Sequence, residues 1–134
     1  MRYLRAESPA LLDGHEAARR FLKASFTSGV DAGEQLLVAH VDRDYRCLHV
    51  ARYEGEPASV EMPVRRIIAD ALHLGSAALI VAHNHPSGDC RPSDADYRST
   101  RKLVSAAKAM DLAILDHLIF GCQDYGSMRR MGLL

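Results

Sequence analysis

Two histidines one residue apart, His83-Asn84-His85, run into Pro86-Ser87-Gly88, and Pro92-Ser93-Asp94-Ala95-Asp96 follows shortly after. On an extended strand residues i and i+2 face the same side, so His83 and His85 present both imidazoles to one point. Pro86 and Gly88 force a turn directly after them. Pro92 keeps Arg91 extended and delays the next helix. Ser93 is placed to cap that helix, which puts Asp96 in its first turn. A strand's carboxyl end then meets a helix's amino end across one tight loop, the crevice in which open α/β sheets bind ligands. Two neutral imidazoles and a carboxylate make a three-ligand set for zinc with the fourth position open, as in catalytic rather than structural zinc sites. A reading without metal uses the same residues. The histidines are then polar strand-end residues, and Ser93-x-x-Asp96 is close to a capping box. The two are compatible, with Ser93 capping while Asp96 ligates.

The chemistry requires a strand ending near His85 and a helix starting at Ser93, and the hydropathy pattern supplies both. Ala77 to His83 is too short for a buried helix and fits a central strand covered on both faces. After the loop, Tyr97, Leu103, Val104, Ala107 and Met110 mark the apolar side of a helix, and Ala113 to Phe120 reads as a strand ended by Gly121. Upstream, Ser8-Pro9 reads as N-cap and first turn of a helix carrying Ala10, Leu11, Leu12, Ala17, Ala18, Phe21 and Leu22 and stopping near Ser28-Gly29. Gln35 to Val41 and Arg46 to Arg52 read as strands joined by the turn Asp42-Arg43-Asp44. Met62 to Leu74 places Val64, Ile67, Ile68, Ala71 and Leu72 on one helical face, with Gly75 as its C′ residue. The order α-β-β-α-β-α-β, with a short tail, predicts an α/β layered domain with a mixed β-sheet flanked by helices.

The chain has 134 residues, 48% apolar and 25% charged, a globular balance that excludes wholesale disorder. Seventeen basic and seventeen acidic side chains give zero formal net charge, which lends no support to a dedicated nucleic-acid binder. The longest clean apolar run, Ala77 to Ala82, is far short of the roughly 20 residues that span a bilayer. Met1 to Glu7 contains no apolar leader segment, so a cytoplasmic location and no membrane partner are expected. Cys47, Cys90 and Cys122 form no C-x-x-C pair, against a disulfide framework or a Cys-rich zinc site. Cys90 reads as a small loop thiol ahead of a soft metal ligand. His117, after Asp116, reads as a core or edge histidine, with support of a ligand histidine as the alternative. His15, His40, His49 and His73 show no ligand spacing and read as solvated or packed. Arg98, Arg101, Lys102 and Lys108 read as a solvated helix face ahead of a phosphate-binding stripe. Asn84 points away from the two imidazoles on a regular strand and reads as structural.

The spacing of His83-x-His85-Pro86, Ser93 and Asp96 resembles the JAMM metalloprotease motif without a gap. The fuller string of His83 to Gly88 with Pro92-Ser93 and Asp96 looks like the RadC-type branch of the JAB/MPN superfamily. Val64-Arg65-Arg66-Ile67, Leu115-Asp116-His117-Leu118-Ile119 and Gly132-Leu133-Leu134 are similar to that family's pattern. The resemblance covers about residues 30–134, with residues 1–29 expected as an N-terminal helix ahead of it, and the helix-hairpin-helix region of longer members expected to be absent. It implies a JAB/MPN, cytidine-deaminase-like architecture and one Zn²⁺ per chain on His83, His85 and Asp96. It also implies a glutamate at the start of the strand after the first helix, the position that Glu34 matches. Taken alone, a glutamate there is a solvated edge residue, and Glu16, Glu54, Glu56 and Glu61 remain other candidates. The implied reaction is hydrolysis of an amide or isopeptide bond in a peptide or protein. Zinc lowers the pKa of its water from 15.7 to about 7. Glu34 would move that water's proton, worth about 10²–10⁴ in rate. Ser93 would donate to the oxyanion, worth on the order of 10²–10³. The alternatives are a RadC-like accessory protein in DNA repair or recombination and a non-catalytic MPN scaffold, which the intact ligand set argues against. Zinc deaminase chemistry would require H-x-E and P-C-x-x-C, both missing here. Homodimerisation stays open.

Overall fold

The computed structural model describes residues 9–26, 33–53, 62–121 and 124–134. The elements are α1 (His15–Ser25), β1 (Leu36–Val41), β2 (Cys47–Tyr53), α2 (Val64–Leu74), β3 (Ala78–Asn84), α3 (Asp94–Ala109), β4 (Ala113–Phe120) and β5 (Tyr125–Ser127). They form a five-stranded sheet in the order β2-β1-β3-β4-β5. β1 is antiparallel to both β2 and β3, β3 and β4 are parallel, and β5 folds back antiparallel on β4. The sheet is therefore mixed, as expected, and α3 is the crossover that a parallel pair requires.

Strand alternation builds two cores. Leu36, Val38, Leu79 and Val81 face one side and pack with Ile67 and Ala71 of α2 and Leu103 and Ala107 of α3. Leu37, Ala39, Ile80 and Ala82 face the other side and pack with Leu12, Ala18 and Leu22 around α1. β3 is covered on both faces, which explains its continuous apolar run. Among the described residues no helix is long and apolar enough to cross a membrane.

Several boundaries differ from the sequence expectation. α1 starts at His15, well after the expected start near Pro9. The preceding residues are extended instead: Leu11 bridges Arg46, Leu12 N–H donates to Tyr45 O at 2.7 Å, and Cys47 N–H donates to Ala10 O at 2.8 Å. The expected cap Ser8, the expected stop at Ser28-Gly29, Cys122 and the alternatives Glu54, Glu56 and Glu61 lie outside the described residues. Leu72, Tyr97 and Met110 were expected inward and are exposed, because the buried stripes of α2 and α3 are narrow and run through Ile67 and Ala71, and through Leu103 and Ala107. β5 was expected only as tail. Gly75 does close α2, with φ 69° and its N–H on the carbonyls of the last turn.

Two glycines seat the loop between β3 and α3. A Cβ at Gly121 would collide with the Gly88 carbonyl oxygen and stand 2.9 Å from Gly88 C; one at Gly126 would stand 2.5 Å from Cys90 O. The loop backbone thus rests directly on the β4–β5 hairpin. Gly121→Ala should cost about 1–3 kcal/mol in urea unfolding, because neither backbone can give way without moving the loop.

His40 is fully buried on β1, with Nδ1 2.9 Å from Ser76 Oγ and no partner for Nε2 among the described residues. Burial, helped by the charge of His49 and opposed by Asp70, lowers its pKa to about 4. Between about pH 6.5 and 4 the unfolded chain therefore binds more protons, so stability falls as pH drops through that window. The gap in unfolding free energy between wild type and His40→Asn should narrow by roughly 2–3 kcal/mol from pH 7 to pH 4.

Candidate metal centre

His83 is the next inward residue after Leu79 and Val81, so it emerges on the α2/α3 side of the sheet at the carboxyl end of β3. β1 delivers a carboxylate to the same end. Leu36 pairs with His83, and Glu34 precedes Leu36 by one strand repeat. α3 delivers another. Ser93 is its N-cap and Asp96 its N3 residue, in a complete capping box: Asp96 N–H donates to Ser93 Oγ at 3.0 Å, and Ser93 N–H donates to Asp96 Oδ2 at 2.8 Å.

These elements converge tightly. His83 Nε2 lies 2.8 Å from His85 Nε2, 3.4 Å from Asp96 Oδ1 and 3.9 Å from Glu34 Oε1, and His85 Nε2 lies 3.1 Å from Asp96 Oδ2. Among the described residues, Glu34, His83 and His85 form a cluster whose ligand atoms all lie within 4.8 Å of one another. Asp96 is outside that cluster, yet it is nearer to the His83 nitrogen than Glu34 is. Two overlapping donor sets therefore share the imidazole pair. Two nitrogens bound 2.0–2.1 Å from a tetrahedral zinc would be roughly 3.3 Å apart, so these rings need open by only about half an ångström.

The outer nitrogens of the rings are also committed. His85 Nδ1 stands 2.7 Å from the Asp89 carbonyl oxygen, which can only accept, so Nδ1 carries the proton and Nε2 presents a lone pair to the site. His83 Nδ1 stands 2.6 Å from His117 Nε2, and His117 Nδ1 stands 2.6 Å from Thr100 Oγ1. If His83 Nδ1–H donates to His117 and His117 Nδ1–H donates to Thr100, the His83 Nε2 lone pair also faces the site. Burial, reinforced by the charges of His83 and His85 and opposed by Asp96, lowers the His117 pKa to about 3, so this ring passes the bond on as a neutral imidazole. Burial alone would raise the Asp96 carboxyl. When His83 carries a proton on both nitrogens, its hydrogen bond and charge, with bonds from Ser93, overcome that and hold the carboxyl well below the usual carboxylate range.

His117 is thus a core histidine, as expected, and it also fulfils the alternative, bracing His83. It reaches the site through a β-bulge. Leu79 pairs with Ile114 but Ile80 pairs with Asp116, so Leu115 is an extra residue that reverses the alternation of β4 and turns His117 toward α3. Asp116, sent the other way, accepts from Ser127 Oγ at 2.5 Å and from Arg129 N–H at 3.1 Å and fastens the C-terminal turn.

Asn84 does point away from the two imidazoles, and its amide has a task there. Its Oδ1 accepts from Gln35 N–H at 2.6 Å and its Nδ2 donates to Gly33 O at 3.3 Å, clipping the backbone on both sides of Glu34. Arg52 donates to the Gln35 side chain from the next strand. Of the remaining candidates, Glu16 is ion-paired with Arg19 at 3.0 Å on α1, and Cys90 does not join the donor cluster. His15 donates or accepts with the Tyr125 hydroxyl at 3.0 Å, and His73 is exposed.

The chemistry of the donor set fits a borderline-soft dication such as zinc: two imidazoles, each with a bond to its other nitrogen, and a carboxylate from Glu34 on one side or Asp96 on the other. His117→Ala, which removes the brace and leaves every donor in place, should weaken zinc binding about 10–100-fold in a chelator competition. Thr100→Val should move it in the same direction by less.

Among models of known families, the one described as RadC-like JAB domain matches residues 12–133, nearly the whole chain.

Proposed function

The chain belongs to the RadC-like JAB domain family, and from that premise we propose that it is a zinc-dependent hydrolase of amide or isopeptide bonds. In this reading the JAMM motif is intact, with His83, His85 and Asp96 as ligands and Glu34 as general base. The observation that carries it is the convergence of two carboxylates, anchored differently, on a pair of oriented imidazoles. Asp96 is fixed by its capping box and has a largely covered side chain (17% exposed), as suits a ligand. The Glu34 side chain is 35% exposed and, among the described residues, meets only His83 at 3.9 Å, as suits a group that must move a proton between two positions.

When bound, the metal supplies a water acidic enough to lose its proton near neutral pH and polarises the carbonyl under attack. Glu34, beside His83, takes the proton and hands it to the leaving amine. Ser93 Oγ accepts from Asp96 N–H, which leaves its own hydroxyl proton to donate to the oxyanion. His117 and Asp89 O hold the imidazoles in the ligating tautomer.

Elemental analysis of protein prepared without a histidine tag should find about one zinc per chain. Asp96→Asn keeps an acceptor for the capping box and should fold but lose most of the metal. Glu34→Gln should retain the metal and lose about 10²–10⁴ of any peptide or isopeptide hydrolysis. A wild-type protein that takes up no zinc when it is supplied would refute the hydrolase reading. Zinc lost in Glu34→Gln but kept in Asp96→Asn would exchange the roles of the two carboxylates.

A further inference from the structure

From the metal centre a groove of about 670 Å³ runs along α3, and its wall carries Arg98, Arg101 and Lys102. We propose that this groove binds an acidic peptide segment, so that the amide presented to the metal centre comes from a chain with Asp or Glu residues beside the scissile bond. The inference rests on the hydrolase reading for the nature of the bond, and on the groove alone for the charge.

Residues 98, 101 and 102 are three and four apart on a helix and share one face. Like charges at that spacing repel, and a solvated helix face ordinarily relieves this with interleaved acids. Here the matching positions on the groove are Ser99 and Ser105. None of the three cations is in an ion pair with a described residue, Asp94 one turn before Arg98 included. Among the described residues the acids of the groove are Glu34 and Asp96, and they sit at its inner end against the imidazoles. A dication there would cancel them and leave the wall without a compensating acid among the described residues. The hollow continues past Met62, Ser99 and Lys102 into a second one of about 650 Å³ bordered by Arg65 and Arg66 of α2. The positive surface therefore extends from α3 onto α2.

Peptide fits this groove better than nucleic acid. The partly exposed Met62, over the buried Leu36, gives the groove an apolar lining suited to an aliphatic side chain. Among the described residues no Phe or Tyr lines the groove to stack a base, and the chain as a whole carries no excess of basic residues.

The test is fluorescence anisotropy in the Glu34→Gln background, with and without added zinc. The probes are a labelled Asp/Glu-rich peptide with a central Leu, the same peptide with Lys at every acid, and a single-stranded oligodeoxynucleotide. The acidic peptide should bind at least about tenfold tighter than the basic one, weaken as salt rises, and lose about tenfold on Arg98→Gln/Arg101→Gln/Lys102→Gln. The salt series on the unaltered groove decides the matter if that variant misfolds. Equal binding of the two peptides, salt-independent binding, or an acidic peptide unaffected by the folded triple variant would overturn the proposal. So would an oligonucleotide that binds as tightly and displaces the peptide. Zinc content is measured separately, so loss of the hydrolase reading and loss of this one give different results.

Discussion

Parallel strands cannot be joined by a hairpin, and that constraint shapes the centre of this molecule. β3 and β4 lie side by side in the same direction, so the chain must leave the end of β3, cross over the sheet and return. α3 is that crossover, and its first turn necessarily stands near the strand it has just left. The tight loop of Pro86 to Pro92 shortens the path further. A capped helix start, with a carboxylate at N3, is thereby brought against two imidazoles at a strand end. β1, antiparallel to β3, has its beginning at the same edge and adds Glu34. The candidate site is the place where these chain directions meet.

Much of this was legible in the sequence because the signals were local. His83 and His85 share a strand face by period two. Pro92-Ser93 marks a helix start, and Ala77 to His83 is apolar enough for a doubly covered strand. What escaped was non-local. The pairing of residues 10–12 with Tyr45 and Cys47 overrode a helix start read from Ser8-Pro9 and the apolar Ala10, Leu11 and Leu12. β5 is three residues long and has no periodicity to read. His117 could not be assigned to a face, because the extra residue at Leu115 that turns it inward exists only relative to the partner strand. Asn84 was placed on the right side of its strand, but its grip on Gly33 and Gln35 joins residues distant in sequence.

The two carboxylates show how environment separates chemically similar groups. Asp96 is tied at both ends by the helix start and pulled below the ordinary carboxylate range by its neighbours. Glu34 is placed by its backbone, and its side chain is 35% exposed and meets His83 at 3.9 Å. The two carboxylates thus differ in anchoring although they share one chemistry: Asp96 is fixed by the helix start, and Glu34 approaches His83 from the backbone that Asn84 clips. The same logic applies to the imidazoles, whose outer nitrogens are engaged by a loop carbonyl on one and by a buried ring on the other.

The donors come from three segments: the approach to β1, the end of β3 with its loop, and the start of α3. In the unfolded chain these are scattered, and no ready-made site exists. A cation held at their junction therefore acts as a cross-link that only the folded chain can form, and its binding energy adds to folding. At a free concentration a hundred times its dissociation constant, such a ligand stabilises the native state by about 2.7 kcal/mol. For a domain of this size that is a substantial share of a total of roughly 5–15 kcal/mol. The point at which the elements meet to do chemistry would then also be the point at which the fold is locked.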